Sequence, residues 1–566
     1  MTTSIRLAAL RWSKTLPPRS SIWRAALVFA AAWPLHALAQ KNVPQWSVHE
    51  ITLTAAETHK NPYTDVTVTA TFKGPGDAVK TVRGFWDGGQ TFKVRFTPDR
   101  AGAWAYSIAA SPKDAGLIDS GTINATAPIA GNHGFLRVDA ANPYSFVWDD
   151  GTRHFMFGQT YYDVMPNVWA GGGWKAAVDN SAAYGMNKIR VHVYPLQSSG
   201  RISPTAPVEE TTYPLVIPYG GTGASPNRDQ LNIPYWRKLD EYVTYLESKG
   251  VGADLILFNT YVKFGVKQWG TPAQDERFVR YVLARYGAFH HVIWCICNEW
   301  AASRKPQSHF DTLGSIVRKE DPWIANGSFL RPLSVHQNTR IDFQYFGSSW
   351  PTHAIIQYGI RNKETVAADD FQTTGRTKFH NGDEWGNAGI IHNLGHNMPV
   401  VNDEYGYLGD ATPINLTQTQ HRWTHWGIAT AGGYISIGDN RGAPTGTPEN
   451  SGDWLDAPEY SDIKRLVDFF ATKGLEYWKM SSQNALKTSG TRVYVLAETG
   501  RQYLIYAAIG GTFAINLAPR TYKARRYNPR TGEDALLGEL SGGASRSFTM
   551  PDASDWVVYL KVKAAD

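Results

Sequence analysis

At 566 residues and 42% apolar content, the chain is long enough for two to four domains and reads as globular rather than disordered or fibrous. Its formal charge of +6 includes five basic residues (Arg6, Arg11, Lys14, Arg19 and Arg24) and no acidic ones within the first 39 positions, so the remainder carries 6 − 5 = +1. That balance removes basicity as an argument for a nucleic-acid partner, and two cysteines among 566 residues exclude a disulfide scaffold.

Residues 1–39 read as an export signal. A basic region leads into the apolar run Ala25–Leu35, and Ala37-Leu38-Ala39 offers small residues for cleavage before Gln40. The run is too short to span a bilayer, so stable membrane insertion is not expected, and the mature chain is expected to be secreted or periplasmic.

Residues 40–130 read as an N-terminal β-sandwich. Val66–Phe72, Phe92–Phe96 and Ala103–Tyr106 alternate apolar and polar residues between Gly, Pro and Asp turns. Residues 131–478 change period. Strands are expected at His154–Gln159, Lys188–Tyr194, Ala253–Phe258, His290–Cys297, Trp323–Phe329, Asp342–Phe346, Pro399–Asn402 and Gly433–Ile437. Helices are expected near 173–184, 235–249, 275–289, 309–319, 418–431 and 459–473. The 284 residues from His154 to Ile437 suit an α/β fold of the (β/α)8 TIM barrel type, which takes about 250. The Gly-rich first turn of a doubly wound sheet is missing. Residues 479–566 return to short alternating strands, a C-terminal β-sandwich.

Two expected strands end in carboxylates. His290–Trp300 runs as a buried strand into Asn298-Glu299, and Met398–Tyr407 runs into Glu404. Barrels place their chemistry at the carboxyl ends of strands. Glu299 ends strand four and Glu404 strand seven, 105 residues apart, where three barrel units predict about 94. Two facing carboxylates are the parts of glycoside hydrolysis: one donates a proton to the leaving oxygen, the other is ionised. Glu299 is expected as acid/base and Glu404 as nucleophile, with Arg190 keeping Glu404 ionised by Coulomb attraction and Asn298 holding a sugar hydroxyl. Strand ends alone leave retaining and inverting chemistry open, because that depends on the carboxylate separation.

Other candidates line the same mouth. His192 alternates with Arg190 on strand two, Gln159 and Tyr162 follow strand one, Trp300 follows Glu299, and His336 follows strand five. Asp439 follows strand eight. Long βα loops carry Trp350, Trp385 and Trp454 as sugar-stacking walls. Asp383-Glu384 is a rival acidic pair inside a loop. Cys295 and Cys297 read as buried thiols. No metal-ligand spacing or phosphate-cradling loop is found, so neither a metal nor another cofactor is expected. The partner expected is a poly- or oligosaccharide; oligomeric state is open.

The Asn298-Glu299 and Glu404 strand ends, with Arg190 on strand two, resemble the clan A glycoside hydrolases, and the resemblance covers Phe155 to about Asp439. The three-part layout, with Asn402-Asp-Glu-Tyr-Gly406 in the barrel and Tyr522–Pro529 in the C-terminal part, resembles bacterial cellulase-like and apiosidase-like proteins. Their C-terminal part is often labelled collagen-binding, a label not carried over here as a ligand. The resemblance implies a retaining enzyme, with Glu299 and Glu404 in the acid/base and nucleophile positions, Asn298 and Arg190 in the clan's Asn and Arg positions, and Tyr345 as its strand-six aromatic. A non-catalytic carbohydrate-binding protein and a transglycosidase or lyase using the same mouth remain as alternatives.

Overall fold

The centre of the molecule is a ring of parallel strands whose residues are buried on both faces. The computed structural model describes residues 41–162, 164–195, 216–260, 268–337, 342–358, 382–408, 416–439 and 457–563. Strands one to eight are Phe157–Thr160, Lys188–His192, Gly252–Phe258, Val292–Cys297, Leu333–Ser334, Ala354–Ile356, Val400–Asn402 and Tyr434–Asp439. They pair in parallel in the order 5-4-3-2-1-8-7-6. A parallel bridge between His336 and Ile355 joins strand five to strand six and closes the barrel. Covering helices include Trp174–Ala183, Ile233–Ser248, Pro272–Tyr286, Gln307–Glu320, Gly382–His392, Gln418–Thr430 and Pro458–Thr472. Strands two, three and four are buried at every position, and strand four accordingly reads as a continuous apolar run rather than as alternation. Among the described residues no helix is long and apolar enough to cross a membrane.

Strands five and six correct the sequence reading. The segment expected as strand five, Trp323–Phe329, instead contributes Ala325–Asn326 to a small antiparallel sheet with Phe329–Leu330, Leu136–Val138, Phe146–Trp148 and Arg153–His154. Trp323 is drawn to the N-terminal sandwich: its indole N–H donates to the Thr97 carbonyl at 2.9 Å and its ring stacks on Phe135. Asp342–Phe346 is a turn, and strand six lies within the stretch expected to be a loop. The true strands are two and three residues long, too short for a period to show.

The barrel is flanked by a β-sandwich on each side. In the N-terminal one, a five-stranded sheet including Thr67–Gly74 and Gly102–Ser111 faces a three-stranded sheet of His49–Thr54, Thr91–Phe96 and Phe85–Trp86. Alternate residues point inward, and Phe72 stacks on Phe96 with centroids 3.7 Å apart. In the C-terminal one, a six-stranded sheet including Gln502–Ala507 and Trp556–Val562 faces Lys487–Ser489, Thr512–Asn516 and Ser545–Thr549.

Both sandwiches are fastened to the barrel helices by buried charge. Arg285 is fully buried and donates to Asp240 at 2.7 and 2.8 Å and to Asp87 of the N-terminal part at 2.9 Å. Arg422 donates to Asp555 of the C-terminal part and to Asp462 at 2.8–2.9 Å. Burial takes these ions from water, so each needs its partner in place.

Three buried histidines sit towards the amino-terminal ends of the strands. Burial lowers His154 and His353 to about 3 and His291 to about 4. A base whose folded value is depressed binds its proton better when unfolded, so its contribution is whole above about 6.5 and is lost as pH falls towards 4. Apparent Tm is therefore expected to be level above pH 7 and to fall steadily between pH 6.5 and 4, measured by circular dichroism. A level Tm across that window contradicts the neutral burial of these rings.

Candidate active site

Strand two presents Lys188, Arg190 and His192 at alternate positions, so all three point into the barrel. Lys188 is the deepest. Gly158 on strand one makes room for it, since a Cβ there would lie 2.6 Å from the Lys188 chain and 2.4 Å from Ser436 Oγ. Lys188 binds Asp403 directly and stands 3.4 Å from Asp254. Arg190 Nε lies 3.5 Å from Asp403 and 3.6 Å from Asp254. Two cations and two carboxylates thus form a closed, solvent-free cluster beneath the mouth.

The cluster sets its own charge states. Burial opposes ionisation of Asp403, but Lys188 and Arg190 outweigh it and hold its carboxyl well below the usual range. Burial, with Asp403 adding to it, pushes Asp254 up to about 6 against the pull of Lys188 and Arg190. Burial also opposes the Arg190 charge, which Tyr162, Asp403 and Asp254 more than offset, so the guanidinium stays protonated.

Above the cluster, Arg190 orients the next layer. It donates to the Asp403 carbonyl at 3.0 Å, to the Tyr162 hydroxyl at 2.9 Å and to Asn298 Oδ1 at 3.1 Å. The Tyr162 hydroxyl donates to Glu404 Oε2 at 2.6 Å. Burial raises Tyr162 well above the ordinary phenol value, with Glu404 and Glu299 both adding to the shift, so it remains a donor. The hydrogen bonds of Arg190 go to Tyr162, Asn298 and the Asp403 carbonyl, and the Tyr162 hydroxyl links it to Glu404.

Glu299 leaves strand four in the left-handed region at φ 43°, an uncommon conformation for a residue with a side chain. It opens a turn, Trp300–Ser303, pinned where the Trp300 N–H donates to the His336 carbonyl at 3.2 Å. The Glu299 N–H donates to His336 Nδ1 at 3.4 Å, and His336 Nε2 stands 3.7 Å from Glu404 Oε2. One imidazole therefore lies between the two strand ends. Both glutamates keep a little exposure, 8% and 7%, while Asn298, Tyr162 and Arg190 beneath them keep 1% or less. His192 stacks on Tyr162 with centroids 4.6 Å apart and is held by Asn259 Nδ2, 2.8 Å from its Nε2. The Trp300 indole donates to Gln337 Oε1 at 3.3 Å.

Glu299, Glu404, Asn298, Arg190, His192, Tyr162, Trp300 and His336 thus come together, and the expectations for Gln159, Tyr345, Trp385 and Trp350 are revised. Gln159 faces away from the mouth, bonded to Tyr460 and Ser181 of the covering helices at 3.1 and 2.9 Å, because its neighbour Gly158 takes the inward position. Tyr345 is not on strand six; it is a buried turn residue packed edge-on against Trp300 and Trp350. Trp385 is buried within helix Gly382–His392 against Tyr358 rather than standing in an open loop. Asp439 ends strand eight, and its side chain lies outside the described residues, as does Trp454. Trp350 is likewise buried, its indole bonded to Asp311. In the rival pair, Asp383 is tied to Arg492 and Tyr494 of the C-terminal sandwich.

Sequence reading missed Lys188, Asp254, Asp403 and Gln357. The first three leave a signal, charged residues inside apolar strand runs. Gln357 leaves none, since strand six was misplaced. It shares the inward side with Ile355, is buried, and neither its Oε1 nor its Nε2 has a partner among the described residues. A buried amide of that kind at a strand end is suited to a ligand's hydroxyls. Glu247, His290 and His291 place possible metal-ligand atoms within 4.8 Å of one another, but before strand four, at the opposite end from Glu299. Cys295 and Cys297 are free and buried.

The buried cluster can be tested without a substrate. Lys188→Met leaves Asp403 and Asp254 facing Arg190 alone and is expected to cost about 3–5 kcal/mol. Adding Asp403→Asn should recover part of the loss in a double-mutant cycle read by denaturant unfolding. Additive losses would show that the two groups do not interact.

Comparison with known proteins gives three family matches. A profile described as "Apiosidase-like, catalytic domain" matches residues 141–437, more than half of the chain. "Domain of unknown function (DUF5060)" matches 42–111, and "Putative collagen-binding domain of a collagenase" matches 483–561. Among solved structures, a Bacteroides vulgatus ATCC 8482 protein titled a putative glycoside hydrolase is 21% identical, covers 93% of this chain and 100% of its own, and has a TM-score of 0.71. A glycoside hydrolase family 5 protein from the same organism is 17% identical over 77% of this chain and 95% of its own, at 0.58. At these identities the likeness is one of fold. Comparison with curated proteins gives no match.

Proposed function

The chain belongs to the apiosidase-like family, and from that premise we propose that it is an exported glycoside hydrolase acting with retention on a poly- or oligosaccharide. The observation that carries the reading is that Glu299 and Glu404 end strands four and seven at the same mouth, with the His336 ring 3.4 Å from the Glu299 backbone nitrogen and 3.7 Å from Glu404 Oε2. In this reading Glu404 attacks the anomeric carbon while Glu299 gives its proton to the departing glycosidic oxygen. A glycosyl ester on Glu404 results. Glu299, now a carboxylate, takes a proton from water, which displaces Glu404 and restores both groups. The hydrogen bond from Tyr162 holds Glu404 in one orientation, and Asn298 Oδ1 is occupied by Arg190, which turns the amide N–H groups towards a sugar hydroxyl. The family description makes apiosides the first substrates to try. Export rests on the signal read at residues 1–39.

The direct test is reducing-sugar release over a panel of plant and microbial polysaccharides and apiosides, with Glu404→Ala beside the wild type. Release by wild type, none by the variant, and proton NMR showing the product first in the substrate's anomeric configuration support the reading. The inverted anomer would sink the retaining mechanism. Equal release by both proteins sinks the nucleophile assignment. Unsaturated products point to a lyase, and transfer products to a transglycosidase.

Tyr162→Phe removes one hydrogen bond to a charged carboxylate, worth about 1.5–3 kcal/mol, so kcat is expected to fall about 10–100-fold. Unchanged kcat would leave Tyr162 with a packing role only.

A further inference from the structure

A second concavity, of about 610 Å³, lies in the seam between the N-terminal sandwich and the hairpin formed by Tyr219–Gly221 and Pro226–Leu231. The hairpin belongs to the connection from strand two to helix Ile233–Ser248. It therefore rises from the same end of the barrel as Glu299 and Glu404. Trp86, Gln90 and Asn61 form one wall, and Asn227, Asp229 and Gln230 the other.

The seam is held in shape by its own bonds. Asn61 Nδ2 donates to the Asp229 carbonyl at 2.7 Å, joining the two walls. The Asp229 carboxylate accepts from Gln274 Nε2 at 3.2 Å and pairs with Arg277, both on helix Pro272–Tyr286. Trp86 is half-buried. Its indole N–H donates to the Gly89 carbonyl at 2.8 Å, and its carbonyl accepts from the Tyr281 hydroxyl at 3.0 Å. Its turn needs glycine, with Gly88 and Gly89 at φ 101° and 55°, and nothing lies within 4 Å of where a Gly89 Cβ would stand. The Trp86 backbone and indole N–H are thus both anchored, and the partly exposed indole lines the seam with its N–H already used. Around it Gln90, Asn227 and Gln230 are exposed amides, each with donor and acceptor atoms.

One fixed aromatic plate ringed by amides matches a pyranose or furanose ring, which has an apolar C–H face and a rim of hydroxyls. The charges around the seam, Lys60 and Arg277 against Glu57 and Asp229, are mixed, so an anion has no net field to follow. An apolar peptide would require a continuous apolar wall, and the amides interrupt it.

We propose that this seam is a glycan-binding subsite that grips the substrate polymer outside the catalytic mouth. It rests on the carbohydrate reading above and gives the N-terminal sandwich a role. A polymer held at the seam presents its neighbouring residues to the mouth at raised local concentration.

The test is native affinity electrophoresis of the full chain in gels containing arabinoxylan, galactomannan, homogalacturonan or apiogalacturonan. A Glu404→Ala background leaves the polymers intact, so binding is read whether or not the chain hydrolyses them. At least one polymer is expected to retard the parent protein. Trp86→Ala should then raise the apparent Kd at least fivefold. Gln90→Ala with Gln230→Ala, which alters exposed side chains only, should raise it at least threefold with Tm unchanged. If Trp86→Ala lowers Tm, the double amide variant decides. Retention of parental affinity by the amide variant, and by a stably folded Trp86→Ala, would place all binding in the mouth and overturn the proposal. Failure of all four polymers to retard the parent would overturn it too.

Discussion

Arg190 is the fixed point of this structure. A guanidinium with no access to water can stay charged only if its surroundings are built for it, and here they are: Asp403 and Asp254 beside its Nε, and carbonyl, hydroxyl and amide oxygens at its other nitrogens. Those partners come from strands one, three, four and seven or their ends. The arginine therefore sets the distances between strand ends as well as the orientation of individual side chains. Lys188 beneath it supplies the second positive charge, so neither aspartate is left uncompensated.

That constraint organises the mouth in layers. The charge cluster lies lowest, then Tyr162 and Asn298, each fastened to Arg190. Glu299 and Glu404 lie uppermost and alone of these groups keep measurable access to the mouth. A planar fork suits this task, because it donates in several fixed directions at once. The left-handed turn at Glu299 and the His336 ring complete the arrangement from the strand-five side. The flanking sandwiches are held by the same kind of interaction, a buried arginine shared between carboxylates of two parts: Arg285 on one side, Arg422 on the other. This ties the hairpin seam of the N-terminal part to the barrel with little freedom to drift.

Much of the site was legible in the chain because it sits on regular elements. Strand four is an apolar run that stops at Asn298-Glu299, and the alternation of strand two puts Arg190 and His192 on one side. Reading failed where the elements are short or where a side chain's direction depends on a neighbour. Strands five and six carry too few residues to show a pattern, and with them went Tyr345 and Gln357. Gln159 has the right residue type next to the right strand. Which side it takes was decided by Gly158, which yields the interior to Lys188. The loop tryptophans failed for a related reason: Trp350 and Trp385 satisfy cores nearby before they can serve a ligand.

The sequence by itself determined the barrel between two β-rich parts, the two strand-end glutamates and their separation of three units along the chain. These follow from local period and from where charge interrupts an apolar run, both of which are properties of short stretches. The tertiary structure alone decided that Tyr162 links Arg190 to Glu404, that Asp403, Asp254 and Lys188 form a buried charge cluster, and that the N-terminal sandwich meets the strand-two hairpin in an aromatic seam. Each of these joins residues far apart in the chain, up to 242 positions for Tyr162 and Glu404. Each rests on the free energy of burying charge or aromatic surface against a partner, which exists only once the strands have closed.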